Sequence, residues 1–274
     1  MSINSLMIKK TAILFIFFFC ANLTHAHHTP KLRSQIAAVY DQSKKEYIYL
    51  KNHNLVAPIA SITKLMTAIV TLESGLPLLE TLKITRNDID RYKNTSSKIR
   101  VGSKLMRSEM LKLSLMASEN RSASALARNY PGGTKGFVRA MNLKAKQLGM
   151  KNTHFVDSTG LRPQNVSTAL DLIKLVEASS KFSIISKYTT TSKFSVDAKN
   201  RYLQYVNSNR LVRSSSWSID LSKTGYIREA GRCLVMKARI KNRPIILVLL
   251  DSYGKLTRIG DANRIKAWLG KKNN

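Results

Sequence analysis

Strand-like apolar runs stand at both ends of this sequence, and helical periodicity fills the stretch between them. Gln35 to Tyr40 and Tyr47 to Leu50 flank the polar segment DQSKKE, which predicts a β-hairpin. Near the other end Trp217, Ile219 and Leu221 alternate, and Cys233 to Ala238 and Ile245 to Leu250 form two further runs with KNRP as the turn between them. In between, Leu65, Met66, Ile69, Val70 and Leu72 recur at helical spacing, and a second pattern from Met110 to Tyr130 is interrupted by ASENRSAS. Amphipathic helices fit Lys135 to Leu148 and Thr168 to Ser179, and a last one carries Ile259, Ala262, Ile265, Trp268 and Leu269 on one side. The expectation is an α/β (α+β) fold: one antiparallel sheet built from strands in 34–50 and 200–251, flanked by helices, with a helical subdomain of about 61–190 inserted.

The N-terminus predicts a secretory signal peptide. Lys9 and Lys10 precede the apolar run Ala12 to Ala21, and THA at Thr24 to Ala26 offers a cleavage site, so residues 1–26 are the leader and 27–274 the mature domain. That run of about ten residues is too short to cross a bilayer, which takes ~20, so no transmembrane anchor is expected after cleavage. Cys20 leaves with the leader, which excludes an internal disulfide, and Cys233 reads as a packed strand residue. Export without disulfides suits a bacterial periplasm.

The formal net charge of +30 falls to +28 without Lys9 and Lys10. Such charge attracts polyanions. The basic residues are spread along the whole chain with no aromatic-basic reading pattern, and export separates the protein from nucleic acid, so anionic cell-envelope material is the better partner. His25, His27, His28, His53 and His154 show no metal-ligand spacing, so neither a metal nor another cofactor is expected.

The segment ASITKLMTAIV, Ala60 to Val70, carries the most specific chemistry. Residues three apart on a helix are neighbours, so the Ser61 hydroxyl and the Lys64 amine can touch in an apolar setting. A dehydrated lysine has a lowered pKa and can take the serine proton. The same pair also fits a serine capping a helix start with a lysine snorkelling to solvent. Ser252 and Lys255 repeat the spacing, but Gly254 places that match in a turn.

Two further elements follow in order: SEN at Ser118 to Asn120 and KTG at Lys223 to Gly225. On an edge strand, Lys223 and Thr224 offer a charge and a hydroxyl to a carboxylate, and Gly225 lets a substrate backbone approach. Together SITK, SEN and KTG resemble the serine penicillin-recognising enzymes, although Glu119 stands where the pattern has aspartate. The segments LGMKNTHFVDSTGL and NVSTALDL resemble the low-molecular-mass D-alanyl-D-alanine peptidases (serine peptidase family S11), and ASENRSASALARNYPGG and AGRCLVM the penicillin-binding protein 7 type of D-alanyl-D-alanine endopeptidase. The likeness runs from about Ser34 to Leu269.

The resemblance implies a β-lactamase/transpeptidase-like fold and a set of roles. Ser61 is the nucleophile that becomes an acyl-ester and Lys64 its general base; Ser118 relays a proton toward the departing amine, and Asn120 holds Lys64 or a substrate amide. Lys223, Thr224 and Gly225 bind substrate, and the backbone N–H groups of Ser61 and Tyr226 form the oxyanion hole. The partners implied are peptidoglycan peptide stems and β-lactam antibiotics, with the enzyme acting as a monomer. Hydrolysis of D-Ala–diaminopimelate cross-links is the leading reading; removal of a terminal D-alanine is the alternative, and a non-catalytic basic envelope-binding protein the alternative of another class. A β-lactamase is disfavoured because no Glu-x-x-Leu-Asn string is present.

Overall fold

The computed structural model describes residues 29–271, so the expected signal peptide at 1–26 lies outside the described residues. The hairpin at the start is β1 (Ile36–Asp41) and β2 (Glu46–Lys51). The long strands near the end are β3 (Ser218–Ile227), β4 (Gly231–Ile240) and β5 (Arg243–Ser252). They form one five-stranded sheet in the order β2-β1-β5-β4-β3. The ends of the chain meet in its middle: β1 pairs antiparallel with β5, from Ile36 opposite Leu250 to Asp41 opposite Ile245.

Both faces of the sheet are covered, which explains why its inner strands read as continuous apolar runs rather than alternating ones. On one face Ala37, Val39, Leu234, Met236, Leu247 and Leu249 pack with Ala262, Ile265 and Leu269 of α7 (Thr257–Lys271). On the other, Ala38, Val235, Ile246, Val248 and Leu250 belong to the larger core shared with the helical segment. Asp261 on α7 is fully buried and accepts hydrogen bonds from Arg33 N at 3.0 Å, Ser34 N at 2.7 Å and Ser34 Oγ at 2.6 Å, locking the start of the fold to its final helix.

The helical segment comprises α1 (Lys64–Glu73), α2 (Arg107–Met116), α3 (Asn120–Arg128), α4 (Gly133–Gln147), α5 (Ala169–Ser180) and α6 (Ser183–Thr189). The periodicity from Met110 to Tyr130 is therefore two helices, parted at Ala117–Glu119. α1 is buried along nearly its whole length, from Lys64 to Thr71.

The strand content near residue 200 differs from the expectation. Lys193–Asp197 and Tyr202–Val206 pair with each other as a separate hairpin, and the main sheet resumes only at Ser218. That hairpin buries one side only, through Val196, Leu203 and Tyr205, and so stands apart from the two-sided sheet. It and α6 went unread in the sequence. So did two pairs of two- and three-residue strands, Ala57–Pro58 with Val166–Ser167 and Thr81–Lys83 with Lys104–Met106, which are too short to show a period.

Candidate active site

Ser61 lies in a 3₁₀ turn, Ala60–Thr63, that runs directly into α1 at Lys64. The turn is held from two sides. Gly160 adopts φ +79°, and a Cβ there would lie 2.0 Å from Ala60 O; a Cβ on Gly225 would lie 3.0 Å from Ile59 O and 3.1 Å from Ser61 N. Only glycine permits such approaches. Between these walls Ala60 is held at φ 47°, an uncommon backbone for alanine, immediately before the serine.

Lys64 is fully buried. Its Nζ donates to Ser61 Oγ at 2.9 Å, Asn120 Oδ1 at 2.8 Å and Thr159 O at 2.6 Å, so an ammonium uses all three of its N–H groups. Burial lowers the Lys64 pKa to about 8, with the Asp157 and Glu119 carboxylates pulling in the other direction. On losing one proton the amine turns one bond around and accepts from the Ser61 hydroxyl.

Thr159 O is the acceptor that the sequence did not announce. Its loop is organised by Asp157, whose carboxylate accepts from Thr159 N and Gly160 N, both at 2.6 Å, Arg162 N at 3.0 Å and Asn165 Nδ2 at 2.9 Å. Thr67 Oγ1 on α1 donates to Ser158 O at 2.7 Å, and Ser158 Oγ donates to Ala123 O on α3 at 3.0 Å, which bolts the loop between the two helices. The run DSTGL together with Asn165 was the signal available, a turn chemistry of Asp, Ser, Thr and Gly.

Ser118 sits at φ 61° in the break between α2 and α3, and its Oγ accepts from Lys223 Nζ at 3.0 Å. Asn120 uses both ends of its amide: Oδ1 takes Lys64, and Nδ2 donates to Thr95 Oγ1 at 3.0 Å. Glu119 turns away from this cluster and caps α3 by accepting from Ser122 N at 2.9 Å.

The KTG segment lies on β3, the sheet edge, as expected. Lys223 is buried rather than open to solvent, and besides Ser118 it donates to Thr224 O at 2.9 Å. Burial pushes its pKa well down, and the Lys64 and Arg258 charges push the same way. Thr224 Oγ1 donates to Ser208 Oγ at 2.7 Å. Tyr226 follows Gly225 with a half-exposed ring, over which Arg232 stacks at 4.5 Å. A cleft of about 520 Å³ opens beside Asn120 and Thr159, walled in part by Asp90, Tyr92, Leu161 and Arg162.

Cys233 is buried opposite Gly225 on the neighbouring strand, and burial raises its thiol to about 12, which leaves it a packed side chain rather than a nucleophile. Among the described residues, no helix is long and apolar enough to cross a membrane.

A buried lysine facing a serine hydroxyl, with a second lysine on the adjoining sheet edge and a sheet closed by both chain ends, defines a serine acyl-transfer enzyme of the penicillin-recognising class. The comparisons make this specific: the chain belongs to the D-alanyl-D-alanine carboxypeptidase family, peptidase S11, which it matches over residues 23–254. It is 48% identical over 241 residues to a D-alanyl-D-alanine endopeptidase of Pseudomonas aeruginosa, covering 87% of this chain and 78% of that protein. A D-alanyl-D-alanine endopeptidase of Escherichia coli is 46% identical, covering 88% and 78%. Among solved structures, the Streptomyces K15 DD-transpeptidase superimposes with a TM-score of 0.81 at 28% identity, over 87% of this chain and 97% of that one. Penicillin-binding protein D2 of Listeria monocytogenes, in its cefotaxime-bound form, gives 0.75 at 28% identity, over 88% and 98%.

Proposed function

We propose that this chain is a serine DD-endopeptidase that hydrolyses D-alanyl cross-links between peptidoglycan stems. The observation that carries the reading is Lys64 Nζ, fully buried and 2.9 Å from Ser61 Oγ. Neutral Lys64 takes the Ser61 proton as Oγ attacks the D-alanyl carbonyl, and the backbone N–H groups of Ser61 and Tyr226 receive the oxyanion. Ser118, bonded to Lys223, passes its proton to the departing amine as the amide C–N bond breaks and is reprotonated from Lys64, leaving an acyl-Ser61 ester and a neutral lysine. Water then cleaves the ester, releases the donor stem with a new carboxylate and restores the serine. The carboxylate beside the scissile amide faces Lys223 and Thr224; Gly225 gives the substrate backbone its room.

The same acylation by a β-lactam leaves a long-lived adduct on Ser61. Residues 1–26 direct export to the periplasm and 27–274 act there as a monomeric mature enzyme. Two relatives approaching half identity carry the endopeptidase name, which favours cross-link cleavage over removal of terminal D-alanine. Incubation with cross-linked muropeptide dimers and with pentapeptide monomers, followed by mass analysis, separates the two. Consumption of dimers supports the proposal, and release of D-alanine with dimers intact overturns it.

A further inference from the structure

The Asn120 amide can meet Lys64 in either of two orientations. With Oδ1 forward it accepts from the amine; with Nδ2 forward it donates to it. The difference decides whether Lys64 can serve as a base. A neutral lysine amine has two N–H groups and one lone pair. When Asn120 Oδ1 and Thr159 O take the two N–H groups, the lone pair is left for the Ser61 hydroxyl. When Nδ2 faces the amine, it competes with Ser61 for that lone pair. Oδ1 stands forward, 2.8 Å from Lys64 Nζ, and the cause lies in the segment 89–98, which carries neither helix nor strand.

There the Asp90 carboxylate gathers the chain around itself, accepting from Tyr92 N at 2.8 Å, Lys93 N at 3.0 Å and Thr95 N at 2.9 Å. Burial pushes its pKa up, but the backbone donors and the Thr95 hydroxyl outweigh burial and hold it below the usual carboxylate value. An ionised carboxylate only accepts. The one hydroxyl proton of Thr95 therefore goes to Asp90 Oδ2, at 2.8 Å. Only lone pairs remain on Thr95 Oγ1, so Asn120 must turn Nδ2 toward it, at 3.0 Å, and Oδ1 toward Lys64.

We propose that Asp90 and Thr95 are positioning residues that fix the orientation of the Asn120 amide and thereby reserve the Lys64 lone pair for Ser61. This rests on the serine acyl-transfer reading above and deepens its base step. The charged groups that bear on Lys64 are Asp157 and Glu119, which favour its ammonium form, and Lys223, whose charge opposes it; substitution at Thr95 alters none of them.

The test is Thr95→Val, which keeps the shape and removes the hydroxyl, with Thr95→Ser as the rescue. Lys93→Ala is the control for loop anchoring, because Lys93 Nζ ties the same segment to Glu229 Oε1, beyond β3, at 2.5 Å. In Thr95→Val the amide is free to turn over, and only the neutral amine gains from the donor it then presents. A tenfold preference for the turned amide takes roughly tenfold off penicillin acylation above the midpoint and lowers that midpoint by about one pH unit. Well below the midpoint the variant and the wild type converge. Thr95→Ser restores the profile, and Lys93→Ala leaves its midpoint in place. A segment merely loosened would admit water to Lys64 and move the midpoint up. A midpoint that stays or rises in Thr95→Val therefore overturns the proposal, as does an equal downward shift in Lys93→Ala. The same proteins carrying lysine isotopically labelled at Cε report the Lys64 titration by NMR without any turnover, with Lys64→Arg assigning the resonance. A downward shift in Thr95→Val that Thr95→Ser reverses supports the positioning role even if penicillin does not acylate the wild type. No shift there overturns it.

Discussion

Taking water away from the Lys64 amine brings its proton affinity close to that of a neutral medium, and the hydroxyl beside it inherits the consequence. With a pKa of about 8, Lys64 is mostly protonated at pH 6 and mostly neutral at pH 9, and only the neutral form is a base. The rate at which penicillin acylates Ser61 should therefore rise with pH through a midpoint near 8, measured by stopped-flow or gel fluorescence with a labelled penicillin. Lys64→Arg keeps the charge but not the ability to lose a proton, and is expected to slow acylation by about 10²–10⁴-fold. Circular dichroism should show its fold retained, because a guanidinium still has donors for Asn120 and Thr159. Cys233 gives the opposite case, a buried group held in its inert form. Thiol reagents should leave the native protein unlabelled and react once denaturant opens the sheet.

At the scale of elements, the segment 157–165 matters as much as the helices it joins. Asp157→Ala strips acceptors from Thr159 N, Gly160 N and Arg162 N at once, and is expected to lower stability by about 2–4 kcal/mol in urea unfolding. Acylation should slow with it, since the Thr159 carbonyl that steadies Lys64 loses its anchor. Gly160→Ala meets Ala60 O head-on and should depress the melting temperature and abolish penicillin labelling together. Ser61 and Lys64 were legible in the sequence because a three-residue helical spacing is a local fact. Thr159 was not, because it acts through its backbone carbonyl, and any residue has one. Asn120 was legible as a side chain, while the hydroxyl of Thr95 that holds its other end is 25 residues upstream in a loop without a period. Lys223 was placed correctly on an edge strand, yet its side chain is met by Ser118 from the break between α2 and α3, 105 residues away, a long-range arrangement that no short motif records.

Over the whole molecule, the sheet built from both ends could be read because doubly covered strands spell uninterrupted apolar runs, as in Ile245 to Leu250. The strength of the charge was equally plain, and it makes a prediction of its own: retention on isolated sacculi should fall steeply between low and physiological salt, in proportion for active and Ser61→Ala protein alike. Unchanged retention would assign the lysines and arginines to solubility alone. The pairing of β1 with β5 also sets when this enzyme can exist. Synthesis delivers Ser61 early and the KTG strand only after residue 222, and β1 finds its central neighbour later still. A nascent or clipped chain that lacks β3 to β5 thus carries the Ser61 hydroxyl without the strand that stands beside it in the finished fold.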